Sequence, residues 1–397
     1  MWVPYGRQSI SEADIAAVTA VLRSPLLTQG PVVPRFEAAL AERAGSRHAV
    51  AVNSATSALH IACLALDLGP GDGLWTTPNT FVASANAGLY CGARVDFVDI
   101  DPRTYLLDPD RLEARLVEAE RDGRLPKIVV PVHFAGQACD MERIAALGRR
   151  FGFRIIEDAS HAVGATYQGR PVGDGRYSDI TVFSFHPVKI ITSGEGGVAL
   201  TNDPALDVRL RLLRSHGVTR DEALLTRPLD GPWAYEQVAL GYNYRMTDIH
   251  AALGLSQLDR LDAFVARRRA LAQRYDALLA GVPHVTAPYR APDRQSSWHL
   301  YIVRLAPQID RARVHAAMVA AEIGVQVLYI PVHTQPYYRA MGFREGDFPE
   351  AEAFYASSFT LPIFPDLSDA DQDRVVAALT AAIEGPGVLP DVARGAP

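Results

Sequence analysis

The sequence predicts an α/β fold: a mostly parallel, mixed sheet with helices on both faces, followed by a smaller α/β unit at the C-terminal end. Three observations predict it. Short apolar runs alternate with helical segments between His48 and Asp158. The alternation then breaks at two apolar runs that have no long helix between them. Past residue 250, a long helical stretch leads into a second, shorter set of strands and helices.

Each element follows in order. "SISEADIAAVTAVLRS" carries a serine cap and apolar residues at helical spacing, and it stops at Pro25. "LLTQGP" is a loop punctuated by Gly and Pro, and "RFEAALAERAG" is a second helix closed by Gly45. The strands "HAVAVN", "DGLWTTP", "RVDFVDI", "KIVVPV" and "FRIIED" then alternate with four helices: "SATSALHIACLALDLG", "NTFVASANAGLYCG", "DPDRLEARLVEAERDG" and "ACDMERIAALGRRFG". "DITVFSF" and "GGVALTN" read as an antiparallel, hairpin-like insertion. "RMTDIHAALGLSQLDRLDAFVARRRALAQRYDALLAG" reads as a long helical stretch that bridges to the smaller unit. Beyond it come a strand "WHLYIVRL", a helix "RARVHAAMVAAEIG", a strand near "VQVLYI" and a final helix "SDADQDRVVAALTAAI". The tail "GPGVLPDVARGAP" reads as frayed. The expected division is an N-terminal arm over 1–24, a large domain over 25–250 and a small domain over 251–397.

Composition narrows the function classes. With 397 residues, 48% of them hydrophobic, the chain can bury a large core. A net charge of −6 argues against a nucleic-acid footprint. The cysteines Cys63, Cys91 and Cys139 form neither a CxxC pair nor a zinc-spaced set, so no metal is expected. No uncharged apolar run reaches the ~18–20 residues that span a bilayer. The N-terminus lacks a signal-peptide pattern. The expectation is a cytoplasmic protein without a membrane segment.

Three stretches carry chemistry. "VNSATSAL" is a strand-to-helix junction whose first turn could offer the N–H groups of Ala55 and Thr56 to an anion. Taken alone, the junction is better read as plain capping by Asn53 or Ser54. In "IIEDASHAVG", Asp158 ends a strand expected to be central, where α/β sheets bind ligands. A surface acid or helix cap is the other reading. In "FSFHPVKIITSGEGG", Ser184 and His186 share a strand face and Lys189 follows. A lysine in a desolvated site becomes an imine-forming nucleophile, whereas a solvated one is inert. Taken jointly, the three match what pyridoxal phosphate requires: a phosphate seat, a carboxylate for the ring nitrogen and an amine for the aldehyde. Phe81 is placed to stack on the ring.

These residues, together with "PYGRQSI", "LTQGP", "TTPNTFVASAN", "VDFVDIDP", "LRSHGVTRD", "LGYNYRMTDIHAALGLSQL" and "IPVHTQPYY", resemble the DegT/DnrJ/EryC1/StrS family of pyridoxal-phosphate-dependent nucleotide-sugar aminotransferases over nearly the whole chain. The resemblance implies the fold type I architecture, like that of aspartate aminotransferase. It implies that Lys189 forms the internal aldimine and shuttles the proton. Asp158 pairs with the pyridinium nitrogen, His161 sits near the phenolic oxygen and Phe81 stacks on the ring. Ala55, Thr56 and Ser184 bind the phosphate, and Asn243 reaches it from a neighbouring subunit of a homodimer with shared active sites. Tyr5, Gln29, His186 and Tyr329 match positions near the sugar nucleotide. Within the family the resemblance is strongest to the branch that aminates C4 of UDP-2-acetamido-2,6-dideoxy-β-L-arabino-hex-4-ulose. That branch uses L-glutamate as donor, with 2-oxoglutarate as co-product, in pseudaminic acid biosynthesis.

One position departs from the family pattern. Leu328 stands where many members carry histidine, which removes a polar contact to the substrate there. Two other classes compete. A deoxysugar dehydratase of this fold would carry histidine in place of Lys189. A non-catalytic scaffold would show a degraded lysine, aspartate or phosphate site. Neither pattern is present.

Overall fold

Helices α1 (Glu12–Leu22) and α2 (Val32–Ala44) precede the central sheet in the computed structural model, which describes residues 1–385. The tail expected to fray lies outside the described residues from residue 386 onward. Seven strands build the sheet: β1 (His48–Val52), β2 (Gly73–Thr76), β3 (Arg94–Phe97), β4 (Ile128–Val130), β5 (Arg154–Asp158), β6 (Ile180–Ser184) and β7 (Gly197–Thr201). Their spatial order is β1-β7-β6-β5-β4-β2-β3. Only β7 runs against its neighbours, pairing antiparallel with β1 and β6. The remaining pairs are parallel. The mixed sheet and its hairpin-like insertion therefore match the sequence expectation.

Crossover helices α3 (Ala55–Ala65), α4 (Ala83–Tyr90), α5 (Pro109–Arg121) and α6 (Met141–Phe151) join the parallel strands. Side chains alternate across the pleat, so each strand feeds two cores. Ala49 and Ala51 of β1 and Val129 of β4 join Phe36, Leu112 and Ile144 on one face. Val50, Val52, Ile128 and Val130 join Leu59, Ile61 and Ile156 on the other. All six parallel strands end at the same edge, at Val52, Thr76, Phe97, Val130, Asp158 and Ser184.

One expectation is refined and one corrected beyond the helix α7 (Pro204–Arg214). The long helical stretch is two helices, α8 (Asp248–Leu258) and α9 (Leu261–Leu279), parted at Asp259 and Arg260. No Pro or Gly marks the break. Its cause is tertiary: the buried carboxylate of Asp14 on α1 accepts from Ser256 Oγ (2.6 Å), Gln257 Nε2 (2.8 Å) and Arg260 Nη2. Meeting that carboxylate leaves Arg260 with φ −102° and ψ 3°, outside helical geometry. The strand expected near "VQVLYI" is absent. Gln326 makes a single bridge to Thr360, and the chain then turns away so that Leu328 and Tyr329 line a cavity.

A second, antiparallel sheet of β8 (Val285–Thr286), β9 (Tyr301–Leu305) and β10 (Ser358–Leu361) has its own core with Leu271, Tyr275, Val314 and Leu379. Arg268 of α9, fully buried, ties this part to the approach of β9. Its Nη1 donates to the carbonyls of Ile363 (2.9 Å), Trp298 (3.1 Å) and His299 (3.4 Å). Burial lowers its pKa to about 10. No helix among the described residues is long and apolar enough to cross a membrane. The three cysteines are free and buried.

Arg268→Met keeps the volume but strands three carbonyls. It should lower unfolding stability by on the order of 3 kcal/mol, read as a shift in the denaturant midpoint.

Candidate active site

A cavity of about 660 Å³ opens at the carboxyl edge of the parallel strands. Every residue singled out from the sequence lines it except Gln29 and Asn243. Those two are exposed on this chain.

One wall is the N-terminus of α3. Ser54 caps it, accepting from the Ser57 N–H (3.1 Å), and Ser57 Oγ donates to Asn53 Oδ1 (2.6 Å). The capping reading is thus correct, and it leaves the anion site intact. The first bond of the helix is from the Ala58 N–H to the Ser54 carbonyl (3.1 Å), so the Ala55 and Thr56 N–H groups have no intrahelical partner. Ser184, at the end of β6, pairs in register with Gly197 of β7. A Cβ on Gly197 would stand 2.5 Å from the Ala55 nitrogen, so only glycine lets β7 pass under this helix start.

Opposite lies Asp158, at the end of β5 and buried. Its Oδ2 accepts from Ser84 Oγ (2.6 Å) and its Oδ1 from the Ser160 N–H (3.1 Å). Ser84 in turn shares a hydrogen bond with Thr80 (2.8 Å). Among the described residues no cation lies within ion-pair distance of Asp158. A buried carboxylate with hydrogen bonds but no counter-charge suits a protonated ring nitrogen.

Lys189 sits in the turn after β6, its N–H bonded to the His186 carbonyl (2.9 Å). It keeps some surface because it borders the cavity, yet protein encloses its amine. Burial lowers its pKa to about 8, an effect that attraction to Asp158 only partly offsets. Nearby, the His161 Nδ1 accepts from the Ala135 N–H (3.2 Å), and its Nε2 lies 3.4 Å from the Tyr329 hydroxyl. Burial, and then the Lys189 charge, push His161 well below the usual histidine range, so it is neutral.

The outer rim is aromatic. Phe81 is 55% exposed, and its ring centre is 5.9 Å from that of Tyr329. Tyr5, half-buried, reaches in from the N-terminal segment. His186 is exposed, and Glu195 and apolar Leu328 line the same cavity.

Reasoning from the sequence missed Thr80, Ser84, Ser160, Glu195 and His299. Thr80 and Ser84 stand four residues apart where α4 begins, a spacing that brings hydroxyls together. That signal was legible. Nothing in the sequence placed His299 at the cavity. The donor set fits pyridoxal phosphate: unpaired N–H groups for phosphate, an uncompensated carboxylate for the ring nitrogen and an activated amine for the aldehyde.

The profile of the DegT/DnrJ/EryC1/StrS aminotransferase family matches residues 8–380. A curated relative, the spore coat polysaccharide biosynthesis protein SpsC of Bacillus subtilis, is 39% identical over 97% of this chain and 98% of its own length. The pyridoxal-phosphate form of the putative sugar aminotransferase Spr1654 from Streptococcus pneumoniae superposes with a TM-score of 0.87 at 32% identity, covering 96% of this chain and 98% of the other. The Helicobacter pylori aminotransferase PseC, involved in pseudoaminic acid biosynthesis, gives 0.87 at 30% identity over 97% of this chain and all of its own. The chain belongs to this aminotransferase family, has the fold type I architecture and uses pyridoxal phosphate as cofactor.

Ser84→Ala removes the hydroxyl that fixes Asp158 and should weaken pyridoxal phosphate binding about tenfold, measured by equilibrium dialysis. The Lys189 amine is nucleophilic only when neutral. The rate at which apoenzyme captures the cofactor should therefore rise about tenfold per pH unit up to about pH 8 and level off above it, in stopped-flow absorbance.

Proposed function

We propose that this aminotransferase moves an amino group from L-glutamate to C4 of a UDP-linked 4-keto-6-deoxy-N-acetylhexosamine. The substrate is UDP-2-acetamido-2,6-dideoxy-β-L-arabino-hex-4-ulose and the product UDP-4-amino-4,6-dideoxy-N-acetyl-β-L-altrosamine, as in pseudaminic acid biosynthesis. Glutamate leaves as 2-oxoglutarate. The observation that carries the aminotransfer is the meeting of Lys189, Asp158 and the α3 N-terminus in one cavity. Likeness to PseC supports the choice of sugar.

Bound pyridoxal phosphate supplies the carbonyl that takes up the amino group and the conjugated ring that draws off electrons. The chain supplies the rest. Ala55, Thr56 and Ser184 bind phosphate, and Asp158 keeps a proton on the ring nitrogen. Lys189 Nζ, once free, would move the proton from the reacting carbon of the donor to the carbonyl-derived carbon of the cofactor, and in the second half of the reaction from that carbon to C4 of the sugar. A pKa near 8 suits both directions at neutral pH. Phe81 covers the ring, and Tyr5, His186 and Tyr329 border the space left for the sugar.

A homodimer with shared sites belongs to this reading, with Asn243 and Gln29 serving the partner's cavity. Both are exposed, and the segment leading to Asn243 presents Trp233, Tyr235 and Leu240 to solvent, an apolar run suited to burial between subunits. A cytoplasmic location fits the three free thiols. A second reading keeps the chemistry and changes the sugar to another UDP- or dTDP-linked 3-keto or 4-keto deoxysugar. Apolar Leu328 at the cavity wall favours it.

A panel of UDP- and dTDP-linked ketosugars with glutamate decides between them. Amination of the UDP-linked arabino-hexulose above all others is expected, with turnover lost in Lys189→Ala. Preference for a different ketosugar would sink the pseudaminic assignment, and no aminated product from any would sink the aminotransfer reading.

A further inference from the structure

Two imidazoles border Lys189. His299 is only 4% exposed, yet its ring lines the cavity. It lies 4.3 Å from the ring of His161, tilted by 49°. Its Nδ1 is sealed from solvent and has no hydrogen-bond partner. A sealed N–H without an acceptor is rarer and costlier than a sealed lone pair. The ring proton therefore belongs on Nε2, and the ring meets the cavity by an edge other than Nδ1. His161 reaches the same tautomer by another route, because Ala135 donates to its Nδ1. Both rings are kept neutral. For His299 the cause is burial first, to which the nearby Lys189 and Arg268 cations add. Tyr5, Tyr329 and Glu195 are further titratable groups lining the cavity, and Asp158 acts on Lys189.

The backbone around His299 is braced to hold it there. Ser297 Oγ donates to the His161 carbonyl (2.9 Å), and the Ser297 N–H to the Gly136 carbonyl (3.1 Å). Arg268 grips the carbonyls on either side of the Trp298–His299 bond. Trp298 itself is held at φ 54°, a left-handed conformation that a bulky residue adopts only under constraint.

We propose that His299 is a cofactor-binding residue which, paired with His161, donates a neutral N–H to the phenolic oxygen of bound pyridoxal phosphate. This rests on the proposed attachment of the cofactor at Lys189. Such a donor bonds most strongly when that oxygen carries uncompensated charge, which is after the neighbouring imine nitrogen has lost its proton. It therefore lowers the pH at which that proton leaves. Two uncharged donors do this without adding a cation beside the lysine.

The test uses holoenzyme without substrate and follows its long-wavelength absorbance against pH. In His299→Phe the midpoint should rise by about 0.5 to 1 unit, the equivalent of one hydrogen bond, with His299→Gln in between. Stoichiometric cofactor with an unmoved midpoint overturns the proposal. So does a raised KM for the ketosugar with an unmoved midpoint, which would give the donor to the sugar. If His299→Phe fails to hold cofactor, ¹⁵N-histidine spectra of the wild type decide. A neutral Nε2–H tautomer whose proton moves downfield on cofactor binding is expected. An Nδ1–H tautomer, or no response, overturns the assignment. Absence of any band in wild-type protein would instead sink the Lys189 reading.

Discussion

An amine and a carboxylate in one poorly hydrated cavity attract each other strongly, and left free they would close into an ion pair. Lys189 and Asp158 share such a cavity but stay beyond pairing distance. Asp158 is fixed on its own side by the Ser84 hydroxyl and the Ser160 N–H. The backbone of Lys189 is fixed by the turn that bears it. Because the two charges do not pair, each remains available to something placed between them. The lowered basicity of Lys189 follows from the same arrangement. Burial acts on it in full, and the carboxylate compensates only from a distance. A direct ion pair would have kept the amine protonated.

The sheet enforces that separation. β5 ends at Asp158 and β6 at Ser184, adjacent parallel strands whose carboxyl ends open on the same side. The antiparallel return of β7 beneath α3 brings the helix start to that edge, and it passes only because residue 197 has no side chain. The second sheet contributes from the far side through the segment before β9. Ser297 binds that segment to the loop beside His161, and Arg268 holds it to α9 and the Ile363 carbonyl. The cavity is therefore a joint product of both sheets, and its histidine pair exists only when both are in place.

Much of this was legible in the sequence. The βαβ rhythm depends on local periodicity, and the cofactor-side residues sit at strand ends and helix starts that periodicity locates. What was not legible depends on contacts distant in sequence. The break between α8 and α9 carries no breaker residue, because Asp14, more than two hundred residues earlier, causes it. The stretch "VQVLYI" has strand composition, but its tertiary task is to deliver Tyr329 to the cavity, and that overrides local preference. His299 looked like one more polar position at a strand start. Only the approach of its ring to His161 distinguishes it.

The turn carrying Lys189 is closed at its own neck. The Phe185 N–H bonds the Gly196 carbonyl (2.9 Å), while the Ser193 N–H (3.0 Å) and Thr192 Oγ1 (2.9 Å) return to the Phe185 carbonyl. None of these bonds uses the lysine side chain. The nucleophile is thus mounted as an exchangeable part on a self-contained cartridge. The scaffold can lose or replace it without unravelling, which makes this architecture permissive to new chemistry at a single position.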